Sequence, residues 1–135
     1  MTADTTNATS TSGGELPRQT AALTLNVGFD NASVSGGTDP GFFGDLTLCH
    51  LAAGSVIGSW TLSAAQATAL NGKSVSQVLA ATNNALGGNG LPTYVTPCGT
   101  NCNQGMGELN QLVTQLNTSF DACVVSSLAT AYLCK

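Results

Sequence analysis

Ser74-Val-Ser-Gln-Val-Leu-Ala-Ala-Thr-Asn-Asn-Ala-Leu86, followed by Gly87-Gly88, carries the clearest pattern in the chain. Val75, Val78, Leu79 and Leu86 fall on one face at the helical period, and Thr82 is the single polar residue on that stripe. Ser74 suits the N-cap, because its hydroxyl accepts from a free backbone N–H of the first turn. Gly87 suits the left-handed residue that closes a helix. A second helical stripe follows in Gly107–Phe120, where Leu109, Leu112, Val113, Leu116 and Phe120 recur, with Glu108 placed for the positive end of the helix dipole. The two stripes predict a helical hairpin with a buried seam. The stretch between them, Asn89–Met106, reads as a long loop that needs fastening, and Cys98 and Cys102 lie in it.

Working back toward the N-terminus, Ser63 caps a short Ala-rich helix that stops at Asn71-Gly72. Before it, Leu46–Leu51 and Ser55–Leu62 read as two strands of an antiparallel hairpin or meander. Ala21-Ala-Leu-Thr-Leu-Asn-Val-Gly-Phe29 alternates strictly and predicts a strand with Leu23, Leu25, Val27 and Phe29 on one side. Asp30–Asp45 is turn chemistry, and residues 1–19 read as a flexible Thr/Ser-rich arm ahead of a single domain at 20–135. Past Asp121, Val124, Val125, Leu128 and Tyr132 have helical spacing. In one straight helix, Cys123 and Cys134 stand about 16 Å apart in rise, too far to bridge. Each is then expected to pair elsewhere, with Cys49 and one of the loop cysteines. The fold expected is α+β: two or three antiparallel strands within 21–62, packed on three or four helices within 63–134 and stabilised by disulfides.

Composition narrows the function. Of 135 residues only 7% are charged while 42% are hydrophobic, against roughly 25% charged in an average soluble domain. A surface covered by Ser, Thr, Asn, Gln and Gly loses much of the repulsion that keeps proteins apart. Arg18, Lys73 and Lys135 are the only cations, which excludes phosphate-directed nucleic-acid binding. No apolar run reaches the ~18 residues of a membrane span. The start, Met1-Thr-Ala-Asp, has no signal-peptide pattern and reads as an initiator ahead of a mature domain. Five cysteines, Cys49, Cys98, Cys102, Cys123 and Cys134, point to disulfides in an oxidising compartment with one sulfur left over. Of three acceptor sequons, Asn7-Ala-Thr9, Asn31-Ala-Ser33 and Asn117-Thr-Ser119, the last lies inside an expected helix and carries little weight.

Candidate chemistry is sparse. His50, the only histidine, follows Cys49, but neighbours on an extended strand point to opposite faces and share a site only across a bulge. Cys98-Gly-Thr-Asn-Cys102 has zinc-like spacing but lacks an obvious second ligand pair, so a disulfide is favoured over a metal. Asp30, Asp39 and Asp45 are ordinary turn residues rather than a paired-carboxylate or calcium site, and no Gly-x-Ser-x-Gly or phosphate loop occurs. No catalytic set, cofactor or metal is expected. Phe42 and Phe43, with Asp45 beside them, form the best candidate contact loop, although a Phe plugging the end of the core competes with that reading. Taken together, these features suggest a non-enzymatic extracellular or cell-surface protein whose partners are other copies of itself, paired through the Leu23–Phe29 strand as an edge. The alternative is a secreted binding or adhesion module that uses the Asp39–Asp45 loop, and a small secreted enzyme comes last.

Overall fold

A computed structural model describes residues 15–31, 43–99, 102–119 and 125–135, without the side chains of 29–31. In chain order the described elements are helix α1 (Leu16–Asn31), a 3-10 turn (Phe43–Asp45), strands β1 (Thr47–Leu48), β2 (Val56–Ile57) and β3 (Trp60–Thr61), helices α2 (Ala64–Leu70), α3 (Val75–Leu86), α4 (Asn103–Asn117) and α5 (Ser127–Tyr132), and strand β4 (Leu133–Cys134). The fold is a small α+β arrangement tied by disulfides. Among the described residues no helix is long and apolar enough to cross a membrane.

Helix α4 is the hub. Leu109, Leu112, Val113 and Leu116 on one of its faces are at most 1% exposed, and each side chain so buried contributes about 1.5–3 kcal/mol. Helices α1, α3 and α5 and strand β2 all pack on α4. Helix α3 buries Val75, Val78 and Thr82. The Thr82 hydroxyl donates to the Val78 carbonyl at 2.8 Å, which is how a polar residue sits fully buried on that stripe. Ser63 and Ser74 both cap as expected, each in a capping box with the glutamine three residues on. The left-handed residue after α3 is Gly88 at φ +80°, one position beyond Gly87, whose φ is −79°.

The stretch expected as a strand, residues 21–29, is helical. Leu16, Thr20, Leu23 and Val27 are at most 7% exposed and follow spacings of four, three and four, a helical stripe. Leu25, which an extended chain would align with Leu23 and Val27, is 57% exposed on the opposite face. Thr20 and Thr24 satisfy their hydroxyls by donating to the carbonyls of Leu16 and Thr20. Helix α1 starts at Leu16, which is fully buried. Helix α1 is fastened to α4 by Asn117, whose amide nitrogen donates to the Gln19 carbonyl and side chain at 2.8 Å each.

The strands pair differently from a meander. Strands β2 and β3 form a tight hairpin through Gly58-Ser59, with Ile57 opposite Trp60. Strand β1 pairs instead with the C-terminal β4, Thr47 opposite Cys134 and Leu48 opposite Leu133. On its other edge β1 is bonded to the turn before α3, with Leu48 donating to Lys73 at 2.8 Å and Gly72 donating to Leu48 at 2.7 Å. The expected terminal helix is, within the described residues, six residues long and gives way to β4. Helix α4 starts at Asn103, four residues before the expected position, so Glu108 lies in its second turn rather than at its positive end.

Candidate functional site

Two places bring polar chemistry together. The first is a groove of about 650 Å³ between the β2–β3 hairpin and α4, within the roughly 300–1,000 Å³ range of small-molecule clefts. The hairpin contributes Ser59, Trp60 and Thr61; α4 contributes Gln104, Glu108, Asn110 and Gln111. Gln111 Oε1 accepts from the Ser59 N–H at 3.1 Å and so holds the hairpin against the helix. Glu108 is only 8% exposed. Its carboxylate accepts from the Thr96 N–H and hydroxyl at 2.7 Å each, from Gln66 Nε2 at 3.3 Å and from Gln104 Nε2 at 3.4 Å. None of those donors is a cation. Among the described residues, the Trp60 indole N–H finds no acceptor and Asn110 Oδ1 finds no donor. Each such atom costs about 1–3 kcal/mol relative to a paired one.

The loop that carries Thr96 is held against α4 in two ways. Cys98 and Cys102 form a disulfide across the start of the helix. Gly105 lets the loop approach: a Cβ there would lie 2.5 Å from the Thr96 carbonyl oxygen and 2.5 Å from Leu91 Cδ1. The loop cysteines therefore bridge each other, where one had been expected to reach Cys123 or Cys134. Helical rise separates residues four apart by only about 6 Å, and the turn into α4 shortens the Cα separation to 4.4 Å, within bridging range.

The second place is the β1–β4 edge. Cys49 and Cys134 are disulfide-bonded, with Cα atoms 5.9 Å apart. This agrees with the expectation that Cys134 pairs away from Cys123, which lies outside the described residues. His50 is exposed and holds φ +59°, the left-handed region. Strand β1 ends at Leu48, so Cys49 and His50 lie beyond it and the constraint that neighbouring side chains point apart does not hold. One ring nitrogen of His50 and the sulfurs of Cys49 and Cys134 lie within 4.8 Å of one another.

The remaining candidates are dispersed. Phe43 is half-buried and packs against the core, Gly44 is buried and Asp45 is exposed, while Phe42 and Asp39 lie outside the described residues. Of the four residues assigned to a self-association strand, Leu23 and Val27 belong to the core and Leu25 faces solvent; the side chain of Phe29 lies outside the described ones. Sequence reasoning missed Trp60, Glu108 and Asn110 as one group. A lone Trp beside a glycine turn was the available signal, and the partner that completes it is fifty residues away on α4. No protein-family model matches the chain, and neither a curated protein nor a solved structure is similar to it.

Proposed function

We propose that the protein is a non-enzymatic, self-associating module of an extracellular or cell-surface structure. The observation that carries this reading is a surface nearly without charge. Three cations and seven acidic residues cover 135 positions, while Leu25, Val56 and Val125 are each more than half exposed. Little Coulomb repulsion opposes contact between copies, and exposed apolar side chains gain by being covered. Two disulfides among the described residues agree with an oxidising compartment. Self-association does not need the strand edge expected from sequence; the outward face of α1, with Leu25 on it, takes that place. Leu25→Asp and Val56→Asp are the test. Either substitution in a contact lowers the associated mass in sedimentation while leaving helical circular dichroism unchanged. An association unmoved by both would remove this reading of the surface.

The groove favours a second reading, a secreted binding module. The exposed hydroxyls of Ser59 and Thr61, beside the amide side chains of Gln104 and Gln111, suit a neutral, hydroxyl-rich ligand. Thr61→Val keeps the shape of the side chain and removes its hydroxyl. Neutral oligosaccharides screened by calorimetry should bind the wild type more tightly than this variant, and equal or absent binding to both would dismiss the idea.

A further inference from the structure

The Cys49–Cys134 bond and His50 have the composition of a soft-cation site closed by oxidation. We propose that reduction of this disulfide opens a zinc-class metal site in which Cys49 and Cys134 supply thiolates and His50 supplies an imidazole nitrogen. The proposal is independent of the assembly reading and rests on placement. The three donor atoms already lie within 4.8 Å of one another. In a tetrahedral site, metal distances of about 2.3 Å to sulfur and 2.0 Å to nitrogen put donors roughly 3.5–3.8 Å apart. The donors therefore reach bonding positions by shifts on the order of 1 Å. Two thiolates and one imidazole leave a fourth position for water, and thiolate donors select zinc and copper(I) over hard cations.

The surrounding backbone keeps the donors together without the S–S bond. Thr47 pairs with Cys134, and the Cys49 N–H donates to the Tyr132 carbonyl at 2.9 Å. Immediately after His50, Asn71 clamps Leu51 from both sides, its Oδ1 accepting the Leu51 N–H at 2.9 Å and its Nδ2 donating to the Leu51 carbonyl at 2.8 Å. These bonds fix the residues on either side of His50, which is held in a left-handed conformation that costs a non-glycine residue about 1–2 kcal/mol. Strain of that kind persists where the flanking structure over-determines it. Here it sets the imidazole beside the two sulfurs.

The chemistry balances with a dithiol as reductant. One thiolate of the dithiol attacks a sulfur of the Cys49–Cys134 bond to form a mixed disulfide. Its second thiol then releases the protein, so the dithiol ends as a cyclic disulfide and the protein holds two thiols. Two electrons and two protons have moved from the dithiol to the protein. Binding of the divalent cation displaces both thiol protons to solvent.

The test uses the full chain with Cys98→Ser, Cys102→Ser and Cys123→Ser, so that this pair alone responds to a non-chelating phosphine. Zn²⁺ is titrated by calorimetry, and Co²⁺ by the sulfur-to-cobalt absorption that reports thiolate ligands. One equivalent should bind to the reduced protein and none to the oxidised protein. His50→Gly fits the left-handed backbone and should weaken binding by roughly tenfold or more, the scale seen for lost metal-site partners, with helical circular dichroism intact. Equal binding in both redox states, no binding after reduction, or full affinity in His50→Gly would overturn the proposal, as would collapse of the helical signal on reduction before metal is added. If the triple variant does not fold, reduced wild type is compared with reduced Cys134→Ser, and an equal number of bound ions overturns it.

Discussion

Removing the two disulfides one at a time should destabilise the protein unequally, by amounts set by the loops they close. Cys49 and Cys134 are separated by 85 positions, and constraining a loop of that length in the unfolded chain contributes about 4.5 kcal/mol. Cys98 and Cys102 are separated by 4, and the same relation yields about 2 kcal/mol. The paired substitutions Cys49→Ala with Cys134→Ala and Cys98→Ala with Cys102→Ala isolate each bridge. Urea unfolding followed by circular dichroism measures both. With a slope near 2 kcal/mol per molar, the first pair lowers the midpoint by roughly 2 M and the second by roughly 1 M. Against a total stability of about 5–15 kcal/mol, the first loss is severe but survivable. Equal losses, or a larger loss from the short loop, would refute the pairing or the view that the long bridge acts by constraining the unfolded chain.

Three further substitutions probe the groove and the loop packed on α4. Glu108→Ala strands the Thr96 N–H and hydroxyl, which donate to its carboxylate at 2.7 Å each; at about 1–3 kcal/mol for each buried group left unsatisfied, it should lower stability by roughly 2–6 kcal/mol in urea unfolding, and a loss under 1 kcal/mol would contradict that role. Gly105→Ala gains about 1 kcal/mol of helix propensity, but the clash with the fixed Thr96 carbonyl costs more, so the melting temperature should fall rather than rise. Tyr94 is 3% exposed, its hydroxyl finds no partner among the described residues, and burial pushes its phenol above the ordinary value. Above pH about 10 the unfolded chain loses that proton while the folded chain keeps it, so stability falls with rising pH by up to about 1.4 kcal/mol per unit. Tyr94→Phe should remove that part of the alkaline loss and stabilise at neutral pH, and unfolding midpoints between pH 8 and 11 check both.

Legibility followed the range of the forces involved. Helices α2 and α3 were readable because caps and stripes are local: Ser63, Ser74, Val75 and Val78 each act within one or two turns. Helix α1 was misread because Leu23 and Val27 satisfy a strand's alternation and a helix's four-residue step equally well. Leu16 and Thr20 decide between the two; Leu16 sits in the stretch that composition assigned to an arm, and Thr20 directly follows it. Strand β4 is two residues long and exists only because β1, more than eighty positions earlier, supplies its partner. The disulfides were legible as a class but not as pairs, since pairing depends on where the chain brings sulfurs together. The groove had the same obstacle, with Trp60 on a hairpin and Glu108 on a helix. His50 shows the opposite limit: the rule that strand neighbours point apart was sound, but strand β1 ends at Leu48 and the rule does not reach Cys49 and His50.

Copies of this chain should associate through a surface almost free of charge. Light scattering of the oxidised wild-type protein over a hundredfold range of concentration tests it most directly. A molar mass that climbs with concentration above the 13.5 kDa of one chain, and persists with Cys123→Ser, is the expected result. A constant 13.5 kDa at every concentration would contradict the claim and leave the Trp60 groove as the reading to pursue.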